Sequence, residues 1–256
     1  MKIQYASDLH LEFAENSNYI KHNPLNAVGD ILILAGDIGY IGDDNYSKHS
    51  FWDWASDNYK EVIVIPGNHE FYKIFDLNEL SNGWMLEIRK NVKCHYNAVI
   101  PLREDIELVA TTLWAHISIQ DAFRTESVVS DFHRIRSGND SLDFNRFNEE
   151  HNRCFNFLKD AIAKSKAKHI LVATHHVPSF ELMAPEYKGS PLNGAFTVEL
   201  GDYIADSDIE YWIYGHSHRN INKVIGNTKC ISNQLGYVFH NEHTSFDVSK
   251  CIEIDK

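Results

Sequence analysis

The stretch Ile31-Leu32-Ile33-Leu34-Ala35-Gly36-Asp37 runs through five apolar residues and stops at a glycine and a carboxylate. An unbroken apolar run this short has no polar face. It predicts a strand buried on both sides, as in a mainly parallel sheet. Four other runs share the pattern. Ile3–Ala6 leads into Ser7-Asp8-Leu9-His10, and Val62–Pro66 into Gly67-Asn68-His69-Glu70. Ile170–Ala173 leads into Thr174-His175-His176, and Tyr211–Tyr214 into Gly215-His216-Ser217-His218. In open α/β sheets ligands bind beyond the carboxyl ends of the strands, so these five polar clusters are candidates for one shared site.

Further outward, Ala98–Leu102 and Leu108–Trp114 predict two more strands, and Phe51–Tyr59 and Leu77–Lys90 predict helices. The strongest helical pattern is Phe144–Ala167, where Phe147, Cys154, Phe155, Leu158, Ile162 and Ala163 form an apolar stripe. Near the C-terminus, Asn222–Val224 and Lys229–Ser232 flank a Gly226-Asn227 turn, a hairpin signal, and Phe246–Ile254 reads as a last strand. Strands alternating with helices give an α/β layout, and strand content at both ends suggests two sheets. No linker-like composition or repeat interrupts the apolar runs, so residues 1–256 are expected to form a single domain.

Composition narrows the function. The chain has a formal net charge of -12, and its longest basic cluster is Arg134-Ile135-Arg136. Such a surface repels nucleic-acid phosphates, so a polymer partner is disfavoured while a small phosphate ester is not. No apolar segment has the length of a membrane span or a signal peptide, which leads to the expectation of a cytoplasmic protein without a membrane partner. The four cysteines are scattered without a C-x-x-C pair, so free thiols are expected and a thiolate metal site is not.

The donors are instead carboxylate, imidazole and amide oxygen, a mixture that suits Mn²⁺, Fe²⁺ or Zn²⁺. Asp8/His10 and His216/His218 are i, i+2 pairs, and in extended backbone such pairs point to one side. Glycine before Asp37, Asn68 and His216 lets the chain turn where a Cβ would clash. Seven donors exceed what one tetrahedral ion takes and suit two ions sharing a carboxylate, as used for displacement at phosphorus. Taken singly the motifs are weak: Asp8-x-His10 alone is a turn with a surface histidine, and Gly36-Asp37 alone is a strand-end turn. Five in order, each after an apolar run, point to a metal site.

The series D-x-H, G-D, G-N-H-E, T-H-H and G-H-S-H, from Asp8 to His218, resembles the calcineurin-like metallophosphoesterase family. Thr112-Leu113-Trp114, Asp131–Arg136 and Ser232–Tyr237 resemble a bacterial and phage subgroup of single-domain members. The resemblance implies a four-layer α-β-β-α sandwich of two mixed sheets and two divalent ions, with Mn²⁺ first and Fe²⁺ or Zn²⁺ as alternatives. It implies that Asp8, His10 and His218 hold one ion, that Asp37 bridges, and that Asn68, His175 and His216 complete the second site. His175 is taken rather than His176 because it directly follows Thr174, as in single-histidine members.

By the same resemblance a hydroxide between the ions attacks phosphorus, Asn68 helps hold the phosphoryl oxygens, and His69 protonates the leaving group. Glu70 positions its loop. A phosphodiester is the first expected substrate and a phosphomonoester the second; a silent metal-binding interaction module is the reading outside enzymology. Gly36-Asp37-Ile38-Gly39-Tyr40 lacks the Asp-Arg pair of the protein serine/threonine phosphatases, which weighs against that substrate class. His133, Arg134 and Arg136 stand equally as phosphate contacts or as an exposed loop. Trp114 reads as core, and His116 as a further residue near the site.

Overall fold

In the computed structural model, which describes residues 1–73 and 75–255, the run Ile31–Ala35 forms strand β2 with all five side chains buried. It lies between β1 (Lys2–Ala6) and β3 (Glu61–Ile65), parallel to both. A run without a polar face has neighbours on both edges and cover on both faces. β4 (Trp84–Arg89), β5 (Val92–Tyr96) and β14 (Cys251–Glu253) complete this sheet in the order β14-β1-β2-β3-β5-β4.

The second sheet contains β6 (Ala98–Arg103), β7 (Ile106–Ala110), β10 (His169–Ala173), β11 (Ile209–Tyr214), β12 (Lys223–Ile225) and β13 (Thr228–Ser232). Its order is β12-β13-β11-β10-β7-β6. Each sheet has a parallel centre and an antiparallel strand at either edge. A small hairpin, β8 (Arg136–Ser137) and β9 (Asp140–Ser141), stands apart.

The layers follow from which face each side chain takes. Ile3, Ile33 and Ile63 of the first sheet meet Leu108, Leu171 and Ile213 of the second in one buried cluster between the sheets. Leu32, Leu34 and Val64 face outward to α2 (Ser50–Asn58) through Phe51 and Trp52, near α1 (Ala14–His22). On the other outer face Val172 and Trp212 meet Phe147, Cys154 and Leu158 of α5 (Phe144–Lys164). Three short helices, α3 (Ala122–Val128), α4 (Asp131–Arg134) and α6 (Gly201–Ala205), fill the connections. This is the expected four-layer sandwich. All four cysteines are free.

Three expected elements differ. Leu77–Lys90 is a 3₁₀ turn over Leu77–Glu79 followed by strand β4, because Gly83 sits at φ +83° and breaks any helix. Beyond that turn Trp84, Leu86 and Ile88 alternate with Met85, Glu87 and Arg89, a period of two. The strand expected over Leu108–Trp114 ends at Ala110, since Leu113 and Trp114 take φ of 70° and 52° and turn the chain into the core. The last strand is only Cys251–Glu253. Asp247 is held off the ladder by Asn233, which both accepts from its N–H at 3.0 Å and donates to its carbonyl at 2.9 Å.

The register places the site. Ala6 pairs with Leu34 and Ala35 with Ile65, so β1, β2 and β3 finish level. Ala173 pairs with Ala110 and Ile213, so β7 and β10 finish level next to β11. The two carboxyl edges are joined where Thr112 Oγ1 donates to the Pro66 carbonyl at 2.7 Å and Ser7 bridges to Gln234.

Candidate metal centre

The donor loops leave the strands with a left-handed backbone. Asp8, His10, Asp37, His216 and His218 have φ of 55°, 47°, 56°, 73° and 51°. The i, i+2 pairs therefore converge by left-handed kinks at both members and not by the alternation of extended backbone expected from the sequence. Each such non-glycine residue costs on the order of 1–3 kcal/mol, a strain that concentrates at functional sites. Glycine serves the donors by leaving room. A Cβ on Gly67 would lie 2.2 Å from Asp37 Oδ1, and one on Gly36, itself at φ +90°, 2.3 Å from His175 Nδ1.

Two donor clusters result. In the first, His10 Nε2 is 3.0 Å from His218 Nε2, which is 3.4 Å from Asp8 Oδ1. In the second, His175 Nε2 is 3.1 Å from His216 Nδ1, 3.3 Å from Asp37 Oδ1 and 3.0 Å from Asn68 Oδ1. Asp37 stands between them, with Oδ2 3.8 Å from His10 Nε2. His176 is outside both. Its ring packs near Trp114 and His216, neither nitrogen has a partner, and burial followed by the neighbouring His175 holds it neutral.

The residues present fit cations. His10 Nδ1 lies 3.1 Å from Glu12 Oε1, His218 Nδ1 2.6 Å from Glu242 Oε2, and His175 Nδ1 2.9 Å from the Ala35 carbonyl. An Nδ1–H donated to each oxygen leaves a lone pair on each Nε2, the arrangement typical of metal-binding imidazoles. Two lone pairs facing each other at 3.0 Å repel unless positive charge lies between them. Burial works against His218 and His175, yet Asp8 and Glu242 raise the first to about 10 and Asp37 raises the second to about 9.

Supporting groups fix the donors. Asn68 Nδ2 donates to Asp131 Oδ1 at 2.8 Å and lies 3.4 Å from the Tyr72 hydroxyl, which leaves Oδ1 facing the second cluster. Glu70 accepts from the backbone N–H groups of Asp37, Ile38, Gly39 and Gly67 at 2.7–3.2 Å, tying two donor loops together. Burial raises it to about 7, with the Asp37 charge adding to the effect.

His69 lies beside the first cluster. Its Nδ1 is 2.8 Å from Glu12 Oε1, its backbone N–H donates to Asp37 Oδ1 at 2.9 Å, and Tyr72 stacks on its ring at 4.4 Å. Its Nε2 is 3.4 Å from the Tyr237 hydroxyl. Burial disfavours the imidazolium, but Asp37 and then Glu12 outweigh it and raise the pKa above the ordinary 6.5. Glu12 itself is pushed up by burial and pulled down to about 2 by His10 and His69.

A cavity of about 620 Å³ opens over Asp37, Asn68, His69, His216 and His218. Arg134 lines it and lies over the Tyr72 ring at 5.4 Å, while His133, Arg136 and His116 are exposed and outside the lining. Trp114 is fully buried in the core, as expected. Glu12, Tyr72 and Glu242 were not singled out in the sequence. Only Glu12 carried a signal, two residues after His10 in the same strand-end loop.

Two stacked mixed sheets with carboxylates and imidazoles gathered at their carboxyl edges define the architecture of a metallophosphoesterase. The family model described as calcineurin-like phosphoesterase matches residues 1–220, and the chain belongs to that family. An uncharacterized protein of Acanthamoeba polyphaga mimivirus is 30% identical over 286 aligned positions, covering 99% of this chain and 97% of the relative. Among solved structures, the phosphopantetheinyl hydrolase PptH of Mycobacterium tuberculosis superposes with a TM-score of 0.74 at 16% identity, over 99% of this chain and 96% of that one. A Thermus thermophilus protein does so at 0.51 and 11% identity, over 91% and 88%. Both share the fold. No helix among the described residues is long and apolar enough to cross a membrane.

Proposed function

We propose that the protein hydrolyses small phosphate esters, phosphodiesters ahead of phosphomonoesters, with two divalent cations held by Asp8, His10 and His218 and by Asn68, His175 and His216, Asp37 serving both. Mn²⁺ is the first candidate, with Fe²⁺ or Zn²⁺ as alternatives. The observation that carries the reading is the pair of donor clusters meeting at Asp37 on the floor of a cavity, with His69 at their side. Bound there, the cations would supply Lewis-acid charge at the phosphoryl oxygens and make a water acidic enough to act as nucleophile.

The chain's own residues do the rest. Glu12 holds the His69 Nδ1 proton, which directs Nε2 toward the cavity as the donor to the leaving oxygen. Arg134 offers a planar donor fork to the non-bridging oxygens. The amide N–H groups of Asn68 are turned toward Asp131 and Tyr72, so Asn68 serves by its oxygen.

The charge balance supports the diester. Arg134 is the one arginine or lysine among the described lining residues, which also include Asp131 and Glu242. A singly charged diester needs no cation beyond the bound ions and Arg134, whereas a doubly charged monoester ordinarily draws on further basic residues. The same balance and the net charge of -12 favour a small ester over a nucleic-acid polymer as partner.

The test is Mn²⁺-reconstituted protein against an aryl phosphodiester and the matching monoester. The expected result is turnover of both with the diester faster. A faster monoester would reverse the preference. Two ions bound per chain with neither ester cleaved would end the hydrolase reading in favour of a metal-stabilised interaction module.

A further inference from the structure

The cavity is larger than a phosphate needs and much of its lining is apolar. At about 620 Å³ it falls within the range of roughly 300–1,000 Å³ that holds drug-sized ligands. Val128 and Val129, ahead of α4, and Met183, Tyr187, Leu192 and Phe196 line it. Val128, Tyr187 and Phe196 are 59%, 39% and 36% exposed, a grouping of large apolar side chains that a soluble surface ordinarily avoids.

This wall is continuous with the donor floor. The Phe196 ring stacks on His216 at 4.9 Å and 23°, so an apolar group following the wall begins beside the second cluster. The lining also offers neutral hydroxyl and amide groups, from Ser130, Ser190, Asn193, Thr197 and Ser217. Arg134 is the one arginine or lysine among the described lining residues, so further phosphates or carboxylates on the ligand find no second basic side chain there.

We infer that the cavity takes a phosphoester with one phosphate and an extended apolar chain, the phosphate on the donor floor and the chain along the apolar lining that starts at Phe196. This rests on the phosphoester reading above. It adds the class of organic group and disfavours polyphosphates and highly charged alcohols.

The test is equilibrium binding of non-hydrolysable methyl-, butyl- and octylphosphonate to the Mn²⁺-loaded protein by calorimetry. Burying a methylene tightens binding roughly fourfold, so burial of even three of the additional methylenes makes octylphosphonate bind more than about sixtyfold tighter than methylphosphonate. A smaller ratio overturns the inference. Phe196→Ser and Leu192→Ser, made separately, should each reduce the ratio; an unchanged ratio in both would place the chain elsewhere and overturn it as well. Ester hydrolysis, assayed separately, keeps the two failures apart. Steep phosphonate binding with no ester cleaved sinks hydrolysis and leaves the apolar subsite, while turnover with a flat series does the reverse.

Discussion

In the cluster of Asp8, His10 and His218, the imidazole nitrogens turned away from the centre face carboxylates, Glu12 at 3.1 Å and Glu242 at 2.6 Å. In the cluster of Asp37, His175 and His216, the corresponding nitrogens face backbone carbonyls, Ala35 at 2.9 Å and Ala195 at 3.4 Å. The second cluster also takes a neutral amide oxygen from Asn68. Carboxylate partners make imidazoles more basic and add negative charge nearby, so the first cluster should hold its cation more tightly. Glu12 has a second task there, because it also holds His69. One cluster is thus coupled through a side chain to His69, and the other is anchored to the end of β2 and the 193–195 turn.

The contrast breaks most completely at the residue both clusters share. Asp37→Ala should abolish binding of both ions and all ester turnover, read by metal analysis and hydrolysis; one ion retained at full affinity would show that the clusters do not depend on a common carboxylate. Next in size is His69→Ala. It should leave both ions in place and lower kcat by about 10²–10⁴ on an ester with a poor leaving group, the usual weight of general acid catalysis. Full turnover on that ester would remove His69 from the chemistry.

The bracing itself is sharpened by two milder changes. Glu242→Gln should weaken the tighter ion by about 10–100-fold and Asp131→Asn the weaker one, as loss of an orienting partner generally does. A chelator titration of each variant reads which ion moved, and a loss of the same ion in both would erase the distinction between the clusters.

The smallest effect concerns pH. His69 is raised above 6.5 by Asp37 and Glu12 against burial, so the acid form and the activity persist below that raised value and are lost as pH climbs through it. Glu12→Gln removes part of the raising charge and should move the alkaline limb of the rate profile to lower pH. A limb that stays in place would uncouple Glu12 from His69.

Much of this was legible in the chain. Ile31–Ala35 has no polar face, so it had to be a buried strand, and its boundaries are those read from the sequence. The stripe over Phe144–Ala167 is one that only a helix can bury, and the helix formed there runs Phe144–Lys164. Leu77–Lys90 was misread because its apolar residues satisfy two periods at once, and Gly83 decided between them. Among the donors, residue type and position at strand ends were visible, but the backbone geometry was not. The left-handed φ at Asp8, His10, Asp37, His216 and His218 is imposed by contacts between segments distant in sequence, such as the His216 N–H donating to Asp8 at 3.0 Å.

The sequence alone determined the five buried strands and the kinds of donor at their ends, since apolar periodicity and side-chain type are local properties. Only the tertiary structure decided that His175 and not His176 faces Asp37, that Asp131 turns the Asn68 oxygen inward, and that an apolar wall begins at Phe196. Each of these depends on which distant side chain lies opposite, and that is settled when two sheets pack.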